Sequence, residues 1–376
     1  MLYRKFGRED FIVSSLGFGC MRFPVINNND ELIDEEKAIK MLRYAIDNGV
    51  NYVDTAYPYH NGQSEVFVGK ALKDGYREKV NLATKSPVWL IKSYEDFYKY
   101  LNNQLQKLQT NYIDMYLLHA LNKESWEQII KLDVLKFLDE AKEKGLIKYP
   151  GFSFHGDIDT FKEIVDSYDW SFCQIQYNIL DIDYQAGLEG LKYAASKGLA
   201  VIIMEPLKGG KLAITPPEKI QSLWDKSEIK RSPVHSALKW LWNQPEVTLI
   251  LSGMSSIEQV MDNIKYADDS QIHSLTDEEL KIVDEVHHTY NNLIKINCTT
   301  CGYCMPCPQG VDIPLNFSIY NDRYIYNDLK NSLKKYKDLH ESKKASSCIE
   351  CGKCQTLCPQ NLPIIDALKK LHEELA

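Results

Sequence analysis

The sequence predicts an α/β protein: a (β/α)8 TIM barrel with a small, mainly helical domain after it. Short buried-strand patterns alternate with amphipathic-helix patterns through residues 15–267, the signature of parallel βα units. Eight strands and eight helices in about 265 residues come close to the ~250 residues of such a barrel. Eight of the ten cysteines crowd into residues 298–358, beyond the last βα pattern.

In order, residues 2–13 alternate loosely and read as a hairpin, and 15–19 form a first strand ending at Cys20 and Met21. Strands follow at 50–54, 80–85, 113–119, 147–153, 172–176, 200–204 and 248–252, each a short apolar run. Between them the apolar residues recur at helical spacing, over 35–48, 64–72, 94–108, 126–144, 160–167, 184–196, 233–242 and 256–267. An open doubly wound sheet is the alternative, but no Gly-rich phosphate fingerprint follows the first strand. A helix-like stretch at 276–290 and a polar linker near Asn291 complete the passage to the second module, giving domains 1–290 and 291–376.

With 376 residues and 44% hydrophobic composition, the chain can bury a large core and carry something small beside it. A net charge of −8 argues against nucleic acid or an anionic membrane as a partner. The N-terminus, MLYRKFGRED, has no apolar h-region. No stretch reaches the ~18 apolar residues of a spanning helix. A cytoplasmic protein is therefore expected. In such a chain clustered cysteines point to metal ligation in preference to disulfides.

The stretch at 51–65, NYVDTAYPYHNGQSE, places an acid at a strand end and a phenol five residues on. Alone, Asp54 reads as a cap or turn former, Lys85 as a solvated strand end and His119 as a core histidine. In a barrel the C-terminal strand ends share one face, so Asp54 with Tyr59, Lys85, His119, and Ser153 with His155 gather on one rim.

These residues resemble the aldo-keto reductases. The resemblance covers residues 1–267 and runs through VDTAYPYHNGQSE, the lysine of LATKS, the histidine of YLLHA, GFSFH, QIQYN, MEPLKGG and SGMSSIEQVMDN, in that order. It implies a catalytic tetrad of Asp54, Tyr59, Lys85 and His119, with Tyr59 chosen over Tyr57 by the family's five-residue spacing. The four residue types make chemical sense together. Hydride addition to a carbonyl builds charge on oxygen, and a phenol can supply the proton there. Lys85 is expected to draw the phenol's pKa down from about 10, with Asp54 holding the ammonium and His119 orienting the carbonyl. The hydride must come from a cofactor.

By the same resemblance, Ser153 and Gln174 lie beneath a nicotinamide. Glu205, Pro206, Leu207 and Gly210, with Ser252, Gly253, Met254, Gln259 and Asn263, surround the phosphates and adenosine. The sequence departs from the family at Phe154, where many members have asparagine. It departs again at Gly253 and Gln259, where many aim basic residues at a 2′-phosphate. The expected cofactor is NADP or NAD: family habit leans to NADP, and the missing cations favour NAD.

Cys298, Cys301, Cys304 and Cys307 precede Pro308, and Cys348, Cys351, Cys354 and Cys358 precede Pro359. The second run is C-x2-C-x2-C-x3-C-P, the two-cluster ferredoxin pattern, and the first has one residue fewer before its last cysteine. A zinc ribbon would want two ligands per knuckle. Two [4Fe–4S] clusters are expected, the fourth cysteine of each run serving the other cluster. That gives Cys298, Cys301, Cys304 and Cys358 to one and Cys348, Cys351, Cys354 and Cys307 to the other. Between the runs, 315–326 and 328–340 look helical. Cys173 reads as core, and Cys20 as lying near the barrel mouth.

The leading reading is a reductase of a small-molecule carbonyl, its clusters structural or exchanging electrons with a ferredoxin or other carrier. The alternatives are a cofactor- or redox-sensing subunit with little turnover, and a ferredoxin-linked reductase fed by the clusters, with a bound flavin or an unusual substrate. Trp89, Phe23 and Tyr57 are candidate aromatic walls for the substrate.

Overall fold

The computed structural model describes all residues except 297, 299–303 and 359–361. They group into two compact units, Met1–Gly210 with Val234–Thr276, and Lys211–Pro233 with Asp277–Ala376.

The first unit is the barrel. A hairpin of β1 (Tyr3–Lys5) and β2 (Ile12–Ser14) comes first. The parallel strands are β3 (Leu16–Gly19), β4 (Tyr52–Asp54), β5 (Asn81–Ser86), β6 (Ile113–Leu121), β7 (Ile147–Phe154), β8 (Phe172–Gln176), β9 (Ala200–Met204) and β10 (Val247–Gly253). They pair in chain order, and β10 closes on β3. Helices α1 (Glu35–Asp47), α2 (Ser64–Ala71), α3 (Tyr94–Leu108), α4 (Lys123–Ile130), α5 (Val134–Glu143), α6 (Ile158–Ser167) and α7 (Gly187–Ser196) alternate with the strands. The expected helix over 126–144 is two, because Asp133 takes a left-handed φ of 58°. The kink lets Trp126 and Ile129 on one piece, and Val134, Phe137 and Leu138 on the next, all face the core.

Two cores follow from the strand alternation. Side chains of one parity, such as Phe18, Leu82, Leu118, Phe152 and Ile203, pack outward under the helices. Those of the other parity, Tyr52, Ala83, Met115, Leu117, Phe172, Ala200, Ile202, Leu249 and Leu251, fill the interior, with Phe6 and Val13 of the hairpin region in the same cluster. Continuing that parity up each strand gives Asp54, Lys85, His119, Ser153 and Gln174, so the polar groups cap a dry interior.

The second unit contains α8 (Glu218–Trp224), α11 (Asp277–Leu293), α12 (Ile313–Ile325), α13 (Leu329–Lys337), α14 (Lys353–Leu357) and α15 (Ile364–Leu375), while α9 (Pro233–Trp242) and α10 (Ile257–Ala267) belong with the barrel. Helix α8 is absent from the sequence reading, though Pro216 and Pro217 just before it are an N-terminal signal. Lys226 on its C-terminal side pairs with Glu285 of α11 at 2.7 Å, and Arg231 pairs with Glu279. Helix α11 thus belongs with the second unit, whereas the sequence ends the barrel at 290. A small core of Val311, Ile313, Phe317, Tyr320, Tyr336, Leu368 and Leu371 holds α12, α13 and α15. Among the described residues no helix is long and apolar enough to cross a membrane.

Candidate active site

The end of β4 and the loop after it converge on Lys85 of β5. Its ammonium donates to Asp54 Oδ1 at 2.6 Å, to the Thr55 carbonyl at 2.9 Å and to the Tyr59 hydroxyl at 3.3 Å. Those three bonds use all its donors, which fixes the amine in one position. Lys85 is fully buried and Asp54 nearly so, while Tyr59 and His119 are partly open. The Tyr59 and His119 rings lie 6.2 Å apart, and Trp89 stands 5.2 Å from His119. Phe23 and Tyr57 are not comparable walls. Phe23 is buried on Phe67, and Tyr57 sits edge-on to Tyr100 beneath Lys107.

Burial opposes charge on Lys85, but Asp54 and then Tyr59 more than offset it and hold the ammonium above its ordinary pKa. For Asp54 burial prevails over the pull of Lys85, and its carboxyl sits above the usual carboxylate range. Burial also pushes the Tyr59 phenol up, outweighing Lys85, with Asp54 adding to the rise. The expected descent towards neutrality is therefore corrected: desolvation wins, and the phenol keeps its proton. Burial, then the charge of Lys85 and the presence of His155, depress His119 well below its ordinary value, so it is a neutral imidazole at pH 7. Its Nδ1 is buried with no hydrogen-bond partner among the described residues.

Behind Lys85 lies a network the sequence reading missed. Gln104 donates to Glu65 Oε1 at 2.7 Å and to the Lys85 carbonyl at 2.9 Å, and accepts from the Tyr116 hydroxyl at 3.1 Å. Thr84 donates to the same Glu65 oxygen at 2.7 Å. A glutamate inside the apolar run SEVFVGKA was its only sequence signal. At β6 the pairing with β7 shifts between Leu118 and Leu121, and Ala120 adopts φ 54°. Such a bulge re-aims the neighbouring side chain, here His119. The displaced Ala120 amide donates to Ser153 Oγ at 2.7 Å.

The residues expected around a nucleotide divide by environment. Gln174 is buried, its amide nitrogen 3.5 Å from Met204 Sδ and its Oε1 without a partner among the described residues. A buried acceptor of that kind fits the amide of a nicotinamide ring. Phe154 points outward onto Phe161, 5.2 Å away, and offers nothing to such a ring. Glu205 has φ 56°, and its carbonyl accepts from Asn178 at 3.0 Å. Asp181 fastens the same loop, accepting from Gln176, Asn178 and Lys208 at 2.8, 2.9 and 2.5 Å. Pro206 is buried, Leu207 packs on the outer core, and Gly210 has φ 90° in open space. Asn263 donates to Ser252 at 2.9 Å, and Gln259 accepts from the Ser255 amide at 2.8 Å. Met254 is in the outer core, which leaves only its backbone to offer.

In the second unit one cavity is lined by Cys304, Cys307, Cys348, Cys351 and Cys354, with Val311, Ile313, Ile349, Ile365 and Leu368. Both cysteine runs thus contribute to it. Among the described residues no three His, Cys, Asp or Glu side chains are arranged to hold a single ion, and the thiols surround a space instead of meeting at a point. Soft sulfur donors in an apolar shell fit a polynuclear iron–sulfur group. Cys298 and Cys358 pack against the core of this unit, and Cys301 lies outside the described residues. Cys20 and Cys173 are both buried in the barrel's outer core.

The model of the Aldo/keto reductase family matches residues 15–288, and that of a 4Fe-4S dicluster domain matches 297–363. The "Uncharacterized oxidoreductase YqkF" of Bacillus subtilis is 27% identical over 325 residues, covering 78% of this chain and 99% of that protein. The "NADH-specific methylglyoxal reductase" of Escherichia coli is 27% identical over 308 residues, covering 69% and 91% respectively. Among solved structures, the holo form of aldo-keto reductase AKR11C1 from Bacillus halodurans superposes with a TM-score of 0.64 at 29% identity, over 76% of this chain and 96% of that one.

Proposed function

Because the chain belongs to the aldo/keto reductase family of oxidoreductases, we propose that its barrel reduces an aldehyde or ketone with hydride from NAD(P)H. The observation that carries this reading is the three-way grip of Lys85 on Asp54, Thr55 and Tyr59, beside a neutral His119. A bound nicotinamide supplies the hydride. Tyr59 gives its proton to the carbonyl oxygen as negative charge develops there, and a phenol held protonated at neutral pH is suited to that act. Lys85 sits 3.3 Å from the phenol oxygen and stabilises the phenolate left behind. Asp54 keeps Lys85 charged and in place. His119 donates a hydrogen bond to the substrate oxygen, and Trp89 beside it forms an apolar wall. Gln174 and Ser153 hold the nicotinamide. The loop Glu205, Pro206, Leu207 and Gly210 and the segment Ser252, Gly253, Met254, Gln259 and Asn263 hold the remainder of the nucleotide.

Residues 1–290 are read as the reductase module and 291–376 as the module for two [4Fe–4S] clusters. Cys348, Cys351, Cys354 and Cys307 would bind one cluster and Cys298, Cys301, Cys304 and Cys358 the other; the cavity lined by Cys304, Cys307, Cys348, Cys351 and Cys354 supports a cluster site that draws on both runs. Such clusters supply one-electron transfer, with a ferredoxin or similar carrier as partner, or structural support. Cysteines kept as cluster ligands and not paired in disulfides suit a reducing compartment, which supports the reading of a cytoplasmic protein.

The test is isotopic. NADPH or NADH deuterated at the transferable position is incubated anaerobically with the protein and a panel of aldehydes and ketones. Deuterium on the carbinol carbon of a product, lost in Tyr59→Phe, is the expected result. Reduction without deuterium, or undiminished transfer in Tyr59→Phe, contradicts the assignment.

A further inference from the structure

Residues 330–353 carry seven lysines against three carboxylates, in a chain whose net charge is −8. Two of those carboxylates are already neutralised, since Glu341 holds Lys344 at 2.5 Å and Glu350 holds Lys369 at 2.7 Å. Lys335 is taken up by Asp322 at 3.4 Å. Lys330, Lys334, Lys337, Lys343 and Lys353 are exposed, and among the described residues none has a carboxylate within ion-pair distance. Positions 330, 334 and 337 fall on one face of α13, opposite the buried Ser332 and Tyr336. Like charges at that spacing repel, so the fold alone gains nothing from them.

The lysines gather round the cysteine cavity. Lys353 belongs to its lining, between Cys351 and Cys354. The Lys343 carbonyl accepts from the Asp312 amide at 3.2 Å and from the Asn316 side chain at 2.8 Å, which sets it beside Val311 and Ile313 of the same lining. Tyr336 shares the small core with Ala345, and Cys348 and Cys354 pack against that core, so the end of α13 approaches the cavity too. Cys351 is exposed, and the apolar Ile349 and Leu357 near it in the chain are 61% and 47% open to solvent. An apolar centre over sulfur ligands, with cations at its edge, has the composition of a small transient interface. Thiolate-held clusters are themselves anionic, and Lys353 is placed to offset that charge. The α13 stripe is not, because it faces away from the core on which the cysteines pack.

We propose that this face is the docking surface for an acidic one-electron carrier protein, which the lysines attract and Ile349 and Leu357 contact. The inference rests on the reading of the second module as an iron–sulfur module and names where its partner binds. The exchange moves one electron from the reduced carrier to the oxidised cluster and forms or breaks no bond.

Full-length, iron-loaded protein is titrated anaerobically by calorimetry with a small acidic ferredoxin, a basic c-type cytochrome and duplex DNA. The ferredoxin is expected to bind, roughly 10-fold or more weakly at high salt than at low salt, and the cytochrome not to bind. Lys343→Glu with Lys353→Glu, and separately Lys334→Glu with Lys337→Glu, are each expected to lose roughly 10-fold or more in affinity for ferredoxin. The second pair lies outside the cavity lining, so it tests the face even where the first pair disturbs cluster loading. Reduced ferredoxin is expected to bleach the cluster absorbance at a rate that falls in parallel with affinity. Loaded protein whose ferredoxin binding is unchanged by both pairs, that binds DNA as tightly, or that binds without bleaching overturns this proposal alone. Protein that takes up no iron–sulfur group overturns the reading of the second module and this proposal with it.

Discussion

At the scale of single residues, the site is governed by desolvation. Lys85, Asp54, Tyr59 and His119 each lose hydration, and the neighbouring charges decide which of them stays ionised. His119 has a consequence for stability. In the unfolded chain it takes a proton near pH 6.5, whereas in the folded protein its pKa is depressed, so the folded state binds fewer protons. The stability associated with it is present above pH 6.5 and is lost as pH falls towards the folded value, by up to about 1.4 kcal/mol per pH unit. Denaturant midpoints between pH 7.5 and 5.5 are therefore predicted to fall less steeply in His119→Asn than in the wild type, and identical slopes would contradict the assignment. That Asp54, Lys85 and His119 stand at the ends of barrel strands, with Tyr59 in the loop after β4, was legible from the strand pattern, while their proposed role as a tetrad came from the family resemblance. The Gln104–Glu65 support and the bulge at Ala120 were not legible, since a glutamine on a helix and an alanine on a strand carry no local sign of their partners.

At the scale of elements, one alternation along each strand builds both the dry interior and the polar rim above it. The interior is crowded where bulky and missing side chains face each other across neighbouring strands. A Cβ on Gly151 would lie 2.5 Å from the Phe172 ring of the adjacent β8. Gly151→Ala is accordingly predicted to destabilise the barrel by about 1–3 kcal/mol, the cost of overpacking, measured by urea unfolding. A neutral substitution would mean that the ring has room the packing does not show. The strands were readable because buried parallel strands are continuous apolar runs. The division of α4 from α5 was not, because the apolar spacing continues through Asp133 and only its left-handed backbone breaks the helix.

At the scale of the whole molecule, two chemistries share one chain: a family of two-electron reductases and a dicluster domain of one-electron centres. Their expected separation was legible from the cysteine spacing, which is a covalent pattern and does not depend on packing. The grouping of α11 and α8 with the second unit was not, because it rests on long-range pairs such as Arg231 with Glu279. The central claim is that the barrel's own residues carry out carbonyl reduction by hydride, without electrons from the clusters. Its most direct measurement is anaerobic mixing of the iron-loaded protein with NADPH and NADH, following nucleotide and cluster absorbance, first without and then with the carbonyl panel. The account predicts that the clusters keep their oxidised spectrum and that nucleotide is consumed only when a carbonyl is present, and not by Tyr59→Phe. Bleaching of the clusters by nucleotide alone, or carbonyl reduction that persists in Tyr59→Phe, would contradict it.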